Sequence, residues 1–192
     1  MGTDIRKAVL DGFPADYAVG ADLFPAFIEA GYKLWQDKDT CRIKFVQGDI
    51  FKLPPTPIAP STVPLTSVAA LEQLGGKVNY LYTGSVFHLF DEPEQAEMAL
   101  RVAIISARQP GSIIFGRHRG AEVKGFSQSM RTDKESFGHS PATWKELWTE
   151  TLTKIESAEF VQDHVVLAAE LLEVEVVSNY KRRVLQWSVR FV

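Results

Sequence analysis

Two aspartates each close an apolar run. Tyr17-Ala18-Val19-Gly20-Ala21 ends at Asp22, and Ile43-Lys44-Phe45-Val46-Gln47-Gly48 ends at Asp49. A carboxylate at the end of a strand can accept hydrogen bonds from a ligand's hydroxyls or amines, and it also caps a following helix. Further along, Val78-Asn79-Tyr80-Leu81-Tyr82 leads to Thr83, Gly84 and Ser85, and Ser112-Ile113-Ile114-Phe115 leads to Gly116-Arg117-His118-Arg119-Gly120. His88 lies between Phe87 and Leu89, with Phe90, Asp91 and Glu92 just beyond. An imidazole oriented by a carboxylate is suited to general acid or base work, and a fixed cation stabilises an enolate or a developing alkoxide. If the runs are strands of one open parallel sheet, these groups ring one crevice at its carboxyl edge. On that basis His88, Asp91, Arg117 and His118 are the candidate catalytic groups. Phe24, Tyr80, Phe87 and Phe90 are candidate apolar walls, with Thr83 at the rim.

The elements that must position these groups follow from periodicity. The first eleven residues read as a helix capped by Thr3 or Asp4, with Ile5, Ala8 and Val9 on its apolar face and Gly12 and Pro14 closing it. Phe24, Phe27, Ile28, Gly31, Leu34 and Trp35 recur at helical spacing behind Pro25, which predicts an amphipathic helix with its aromatics in the core. Five of the ten prolines fall between Lys52 and Ser67, which predicts an extended loop. A short helix is expected around Val68–Leu74, a longer one from Pro93 with Ala96, Ala99, Leu100, Ala103 and Ile104 inward, and another after Ser140-Pro141 through Trp144, Leu147, Trp148 and Leu152. The "GRHRG" stretch reads as an exit loop, and residues 120–138 as a long connection. His139 reads as structural, next to a helix start, and His164 as a surface residue opening a strand. At the end, Leu185, Trp187, Val189 and Phe191 alternate with polar residues and pair with the β-rich run Val165–Val177 as an antiparallel hairpin through 178–181. The fold class is therefore α/β, a mostly parallel sheet with an antiparallel C-terminal hairpin, in a single domain over residues 1–192.

Composition narrows the function classes. The 192 residues are 45% hydrophobic, enough to form a core, and the net charge of −3 without a basic run speaks against nucleic acid. No apolar stretch approaches the roughly 20 residues of a membrane span, and the amino end is no signal segment. With a single cysteine, Cys41, there is no internal disulfide, and a cytoplasmic protein is expected. The four histidines and one cysteine show no metal-ligand spacing, and no nucleophile elbow is present.

The segments "TDIRKAVLDG", "GADLFPAFIEAGYKLWQDKDTCRIKFVQGDIF", "SVFHLFDEPEQ", "PGSIIFGRHRG" and "FGHSPATWKELW" resemble the class I S-adenosylmethionine-dependent methyltransferases of fungal secondary metabolism, those of polyketide and meroterpenoid pathways. The resemblance implies a Rossmann-like sheet, with Asp22 in the position that grips the cofactor ribose, Asp49 in the position that contacts adenine, and Gly84–Glu92 facing the methyl acceptor. It also implies a first strand and a glycine-rich loop directly before Thr3, of which only Gly2 matches. Without that strand its two neighbours would stand about 9–10 Å apart, so the sheet is expected to close up or to take a strand from another chain.

Three functions are consistent with this pattern. One is a methyltransferase-like enzyme that needs no cofactor and catalyses a cyclisation, isomerisation or related rearrangement of a polyketide or meroterpenoid intermediate, with Asp22 and Asp49 vestigial. Another is a true methyltransferase completed by a partner chain or a longer amino end, with S-adenosylmethionine as cofactor. The third is an inactive scaffold. The scaffold would pair with a full-length relative; otherwise the partners expected are a small biosynthetic intermediate and a second copy of the chain, as a homodimer with the N-terminal helix and residues 52–67 near its interface.

Overall fold

A computed structural model describes residues 2–129, 132–177 and 180–192. The chain begins with α1 (Thr3–Leu10), followed by β1 (Val19–Asp22), α2 (Pro25–Trp35) and β2 (Lys44–Gln47). An irregular, proline-rich stretch with short 3₁₀ turns at Leu65–Ser67 and Leu71–Leu74 leads to β3 (Tyr80–Gly84), a 3₁₀ turn at Phe87–Leu89, α3 (Glu92–Ile105) and β4 (Ile113–Arg119). The second half comprises β5 (Gly125–Ser129), β6 (Thr132–Gly138), α4 (Pro141–Thr153), α5 (Ala158–His164), β7 (Val165–Val177) and β8 (Tyr180–Phe191).

The strands form three separate sheets. β1 and β2 are a parallel pair, β3-β4-β8-β7 a four-stranded sheet, and β5 and β6 a hairpin. β3 runs parallel to β4, whereas β8 is antiparallel to both β4 and β7. The sheet therefore neither closes up nor stays continuous: among the described residues β1 pairs only with β2 and β3 only with β4, which leaves each with an open edge. The two pieces are held together by side chains. Val19 of β1 and Leu81 of β3 pack on one apolar cluster built from Val46, Leu53, Val68, Leu71, Leu74 and Ile105, and the Phe13 ring meets Tyr80 edge-on at 6.5 Å.

The main core lies on one face of the four-stranded sheet. Ile114, Leu185, Trp187, Val189 and Phe191 meet Ala99, Val102 and Ala103 of α3, Trp144, Trp148 and Leu152 of α4, and Val161 of α5. The opposite face, with Tyr80, Tyr82, Phe115, Arg117 and Arg190, is exposed. Among the described residues, no helix is long and apolar enough to cross a membrane.

Several elements differ from the sequence expectation. α1 starts behind Gly2, whose φ of +68° favours glycine, and its one buried side chain is Arg6 rather than Ile5, Ala8 or Val9. Arg6 grips Asp37 with two hydrogen bonds of 2.7 and 3.1 Å and lies over the Phe45 ring, so a bidentate ion pair anchors the helix. α2 forms where its spacing predicts, yet Phe24, Phe27 and Leu34 are 55%, 51% and 62% exposed: they form an outward apolar face and not part of the core. The GRHRG stretch is not an exit loop, because β4 continues through Arg119. The long connection folds into the β5–β6 hairpin, and His164 closes α5 instead of opening a strand. The C-terminal hairpin pairs as expected, although residues 178 and 179 of its turn lie outside the described residues.

Candidate functional site

The two aspartates follow adjacent parallel strands to the same rim. Asp22 closes β1, where its register partner on β2 is Gln47, and Gly48 N donates to Asp22 O at 3.1 Å, so the chain leaves both strands at the same rim before reaching Asp49. Each carboxylate turns the chain that follows it: Asp22 Oδ1 accepts from Phe24 N and Asp49 Oδ1 from Phe51 N, both at 3.0 Å. Those bonds fix the orientation of each carboxylate at the start of a turn.

The second cluster gathers at the carboxyl ends of β3 and β4. β4 alternates strictly, so Ile114, Gly116 and His118 face the core while Phe115 and Arg117 face outward. Consequently Arg117 and His118 do not converge: His118 is 1% exposed and Arg117 is exposed on the other face. Gly116 sits opposite Thr83, where a β-carbon would collide with the Thr83 carbonyl and come within 2.8 Å of Thr83 Oγ1 and 2.9 Å of Trp187 Cζ2. Ser85, just past β3, holds φ at +57°, and its N–H donates to Arg117 O at 2.7 Å. That non-glycine left-handed residue turns the chain into the His88 segment.

His88 sits half-buried on the turn Phe87–Leu89, its Nδ1 buried without a hydrogen-bond partner. Burial first, then Arg182 and Arg119, hold its pKa below the usual histidine value. Arg119 reaches across to Ser136 Oγ at 2.8 Å. Asp91 does not orient this imidazole in the way its sequence proximity implies. It is the N-cap of α3: Asp91 Oδ1 accepts from Glu94 N at 3.0 Å, and Glu94 Oε2 accepts from Asp91 N at 3.2 Å.

Below His88 lies an aromatic box. His118 is surrounded by Phe87, Trp144 and Trp187, with ring centroids 5.6, 4.5 and 6.3 Å away. Trp187 Nε1 donates to His118 Nδ1 at 3.1 Å. Burial lowers the His118 pKa to about 3, with His88 and then His139 adding to the effect. His139, buried beside Trp144, is lowered to about 4 by burial, and its Nδ1 lies 3.1 Å from Thr143 Oγ1. His118 Nε2, His139 Nε2, Trp144 Nε1 and Gln95 Oε1 are buried and unpaired.

The proposed walls divide accordingly. Phe87 is core, packed on His118, Trp144 and Trp187. Phe90 is partly buried, edge-on to Phe51 at 5.0 Å, and lines the region between the two clusters. Thr83 Oγ1 is buried at the end of β3. Tyr80 stands at the amino end of that strand, away from the crevice, and Phe24 faces outward beside Phe27. Sequence reasoning missed Trp187 and Arg182, which reach the site from β8. Period-two alternation in β4 and β8 was the available signal, since it places His118 and Trp187 on the same face. A cavity of about 220 Å³ lies at the opposite end of β4, between Arg108, Pro110, Phe160, His164, Phe191 and Val192, far along the sheet from His88. Among the described residues no group of three or more His, Cys, Asp or Glu is arranged to hold a metal ion.

Comparison with known proteins agrees with this architecture. The chain is 30% identical over 150 residues to the O-methyltransferase phiE of Fungal sp., covering 77% of this chain and 45% of that one. It is 26% identical over 177 residues to the methyltransferase adrK of Penicillium rubens, covering 90% of this chain and 59% of the relative. The chain thus spans about half the length of the curated relatives it matches. Among solved structures, the Burkholderia thailandensis 1,6-didemethyltoxoflavin-N1-methyltransferase, with its substrate and S-adenosylhomocysteine bound, superposes with a TM-score of 0.60 at 10% identity, over 100% of this chain and 67% of that one. A point variant of LepI, in complex with S-adenosylhomocysteine and a substrate analogue, gives 0.55 at 12% identity, over 100% and 40%. No established family profile matches the chain. The chain is thus similar in sequence to methyltransferases of fungal secondary metabolism, and its fold is that of the class I methyltransferases.

Proposed function

We propose that the protein acts in S-adenosylmethionine-dependent methylation of a small secondary metabolite. The observation that carries this reading is the pair Asp22 and Asp49, one closing β1 and the other just past the parallel β2 at the same rim, each held at the start of a turn by a backbone N–H. That arrangement fits the adenosine end of the cofactor: Asp22 would hold ribose hydroxyls and Asp49 the adenine side. The cofactor supplies an electrophilic methyl group when bound. The methionine end has no cradle among the described residues, because no strand lies between β1 and β3 and Gly2 alone offers a left-handed glycine before α1. In this reading a strand placed in that slot would complete the methionine end. His88, Arg119 and Arg182 then face the acceptor oxygen, Phe90 and Phe51 supply an apolar wall that limits water, and the neutral His118 box forms the floor.

The open slot also favours a second reading, a rearrangement that uses the same crevice without a cofactor. A chain described as a pericyclic reaction enzyme superposes on this one with a TM-score of 0.53 at 12% identity, over 97% of this chain and 39% of that one, which supports a rearrangement as an alternative. Titration with S-adenosylhomocysteine by calorimetry separates the two. Methylation predicts binding with Kd between about 10 μM and 1 mM for this chain alone, weakened roughly tenfold or more by Asp22→Ala or Asp49→Ala. Absence of binding at millimolar ligand, with the fold intact, leaves the cofactor-free reading.

A further inference from the structure

Arg101 is a buried cation, 8% exposed, in the stretch of α3 that places Met98, Ala99, Val102 and Ala103 in the core. A guanidinium in such a place is costly unless its N–H groups are met. Nη1 donates to Glu97 O at 3.1 Å and pairs with Glu97 Oε2 at 3.2 Å, one turn back along the same helix. Nε reaches another element: it donates at 3.1 Å to Leu53 O, and that bond is itself buried. The guanidinium carbon stands 5.9 Å from the centre of the Phe51 ring. Phe51 in turn meets Phe90 edge-on at 5.0 Å, and its N–H is the donor that orients Asp49.

Residues 49–53 are therefore held at both ends. Asp49 Oδ1 accepts from Phe51 N at the front, Lys52 N donates to Asp49 O and Leu53 N to Ile50 O within the turn, and Arg101 meets Leu53 O at the back. The segment leaves β2, in the smaller piece of the divided sheet, whereas α3 covers the larger piece. Leu53 belongs to the apolar cluster that joins the two pieces, and Ile50 packs on both clusters. Apolar packing fixes how near the pieces lie; a buried hydrogen bond is directional and fixes how they are aligned.

We propose that Arg101 is a positioning residue that locks the Asp49 turn to α3, so that the adenine-side carboxylate and the Phe51–Phe90 wall are presented as one unit. This rests on the rim of Asp22 and Asp49 being the cofactor edge, and it assigns a task there to a side chain that stands behind the rim.

Two measurements test it, and the first needs no ligand. Amide hydrogen exchange is followed by NMR in the wild type, in Arg101→Met, which keeps an apolar stem and removes every donor, and in Val161→Ala, a core-truncating control in α5 that lowers stability alone. Arg101→Met should speed exchange at Phe51 and Leu53 roughly tenfold more than Val161→Ala does, the size of a lost hydrogen bond. Equal effects of the two variants at those amides overturn the proposal, because Arg101 then contributes stability and nothing local. Should Arg101→Met not fold, Phe51→Leu takes its place, with the Leu53 amide as its readout and the same outcomes. The second measurement is a double-mutant cycle read by calorimetry with S-adenosylhomocysteine. Arg101→Met should weaken binding about fivefold or more, and adding it to Asp49→Ala should change Kd by less than about twofold, because Arg101 acts through Asp49. Additive losses overturn the proposal. A wild type that does not bind S-adenosylhomocysteine removes the methylation reading, and the exchange measurement still decides whether Arg101 holds the turn.

Discussion

His118 shows how far burial changes what a side chain can do. As an isolated residue type it is a candidate acid, base or cation. Inside a box of Phe87, Trp144 and Trp187 its pKa falls from 6.5 to about 3, so it stays neutral at any physiological pH and cannot supply positive charge. The same shift governs stability. Because the folded pKa lies below the unfolded one, the unfolded chain binds the proton first as pH drops. The contribution is complete above about pH 6.5 and is lost progressively as pH falls toward 3. His139, lowered to about 4, acts in the same sense. Urea midpoints should therefore be flat from pH 8 to 7 and decline between pH 6.5 and 4.5. His118→Phe, which removes the titrating group and retains a ring, should make that decline shallower; an equally steep decline in the variant would show that other groups drive it. Arg117 and Arg119 make the complementary point: alternation puts both on the face of β4 opposite His118, and position along the strand separates them, Arg119 at its end reaching Ser136 Oγ and lying near enough to His88 to lower its pKa. Arg117→Ala should accordingly leave ligand affinity within about twofold, whereas Arg119→Ala should weaken an anionic substrate analogue by roughly tenfold, read by calorimetry with the wild-type crevice as reference.

At the scale of elements, the legible parts were those whose pattern is local. α2, α3 and α4 follow from apolar spacing and from Pro25, Pro93 and Pro141 near their starts, and the β7–β8 pair follows from strict alternation. The rim aspartates were legible for the same reason, since each ends an apolar run. What escaped depended on partners distant in sequence. The length of β4 is hidden because Gly116-Arg117-His118-Arg119 looks like a polar loop, and it is set by seven register pairs with β8. The β5–β6 hairpin has little apolar periodicity of its own and is fastened by contacts such as Gln95 Nε2 donating to Phe137 O at 3.1 Å. The outward aromatics of α2 illustrate the reverse: the helix was readable, but the surface it would cover is not present in this chain's fold. Gly116 carries the sharpest consequence at this scale. Gly116→Ala must push β4 away from Thr83 or from Trp187, so it should cost about 2–3 kcal/mol in urea unfolding and disturb the Trp187–His118 hydrogen bond as well. A loss below about 0.5 kcal/mol would mean the two strands have slack that their register does not show.

For the molecule as a whole, the decisive feature is a sheet in two pieces. β1–β2 and β3-β4-β8-β7 lie against one apolar cluster with open edges between them, and the face of β3 and β4 away from the helices exposes Tyr80, Tyr82 and Phe115, with Tyr82 and Phe115 in ring contact at 5.3 Å. Phe24, Phe27 and Leu34 extend the apolar surface along α2. Unpaired strand edges beside exposed aromatics are a template for association, and a closed pair of identical chains is the commonest way to cover them. Light scattering on the purified chain at about 10 μM should therefore give twice the 21.4 kDa of one copy. Tyr82→Lys combined with Phe115→Glu places charges on the exposed face without touching the His118 box, and should return the protein to one copy while its far-ultraviolet circular dichroism is retained. If the wild type is already a 21.4 kDa monomer at that concentration, the edges of β1 and β3 are satisfied within one chain, and the slot needed for the methionine end of the cofactor is closed to a strand from elsewhere.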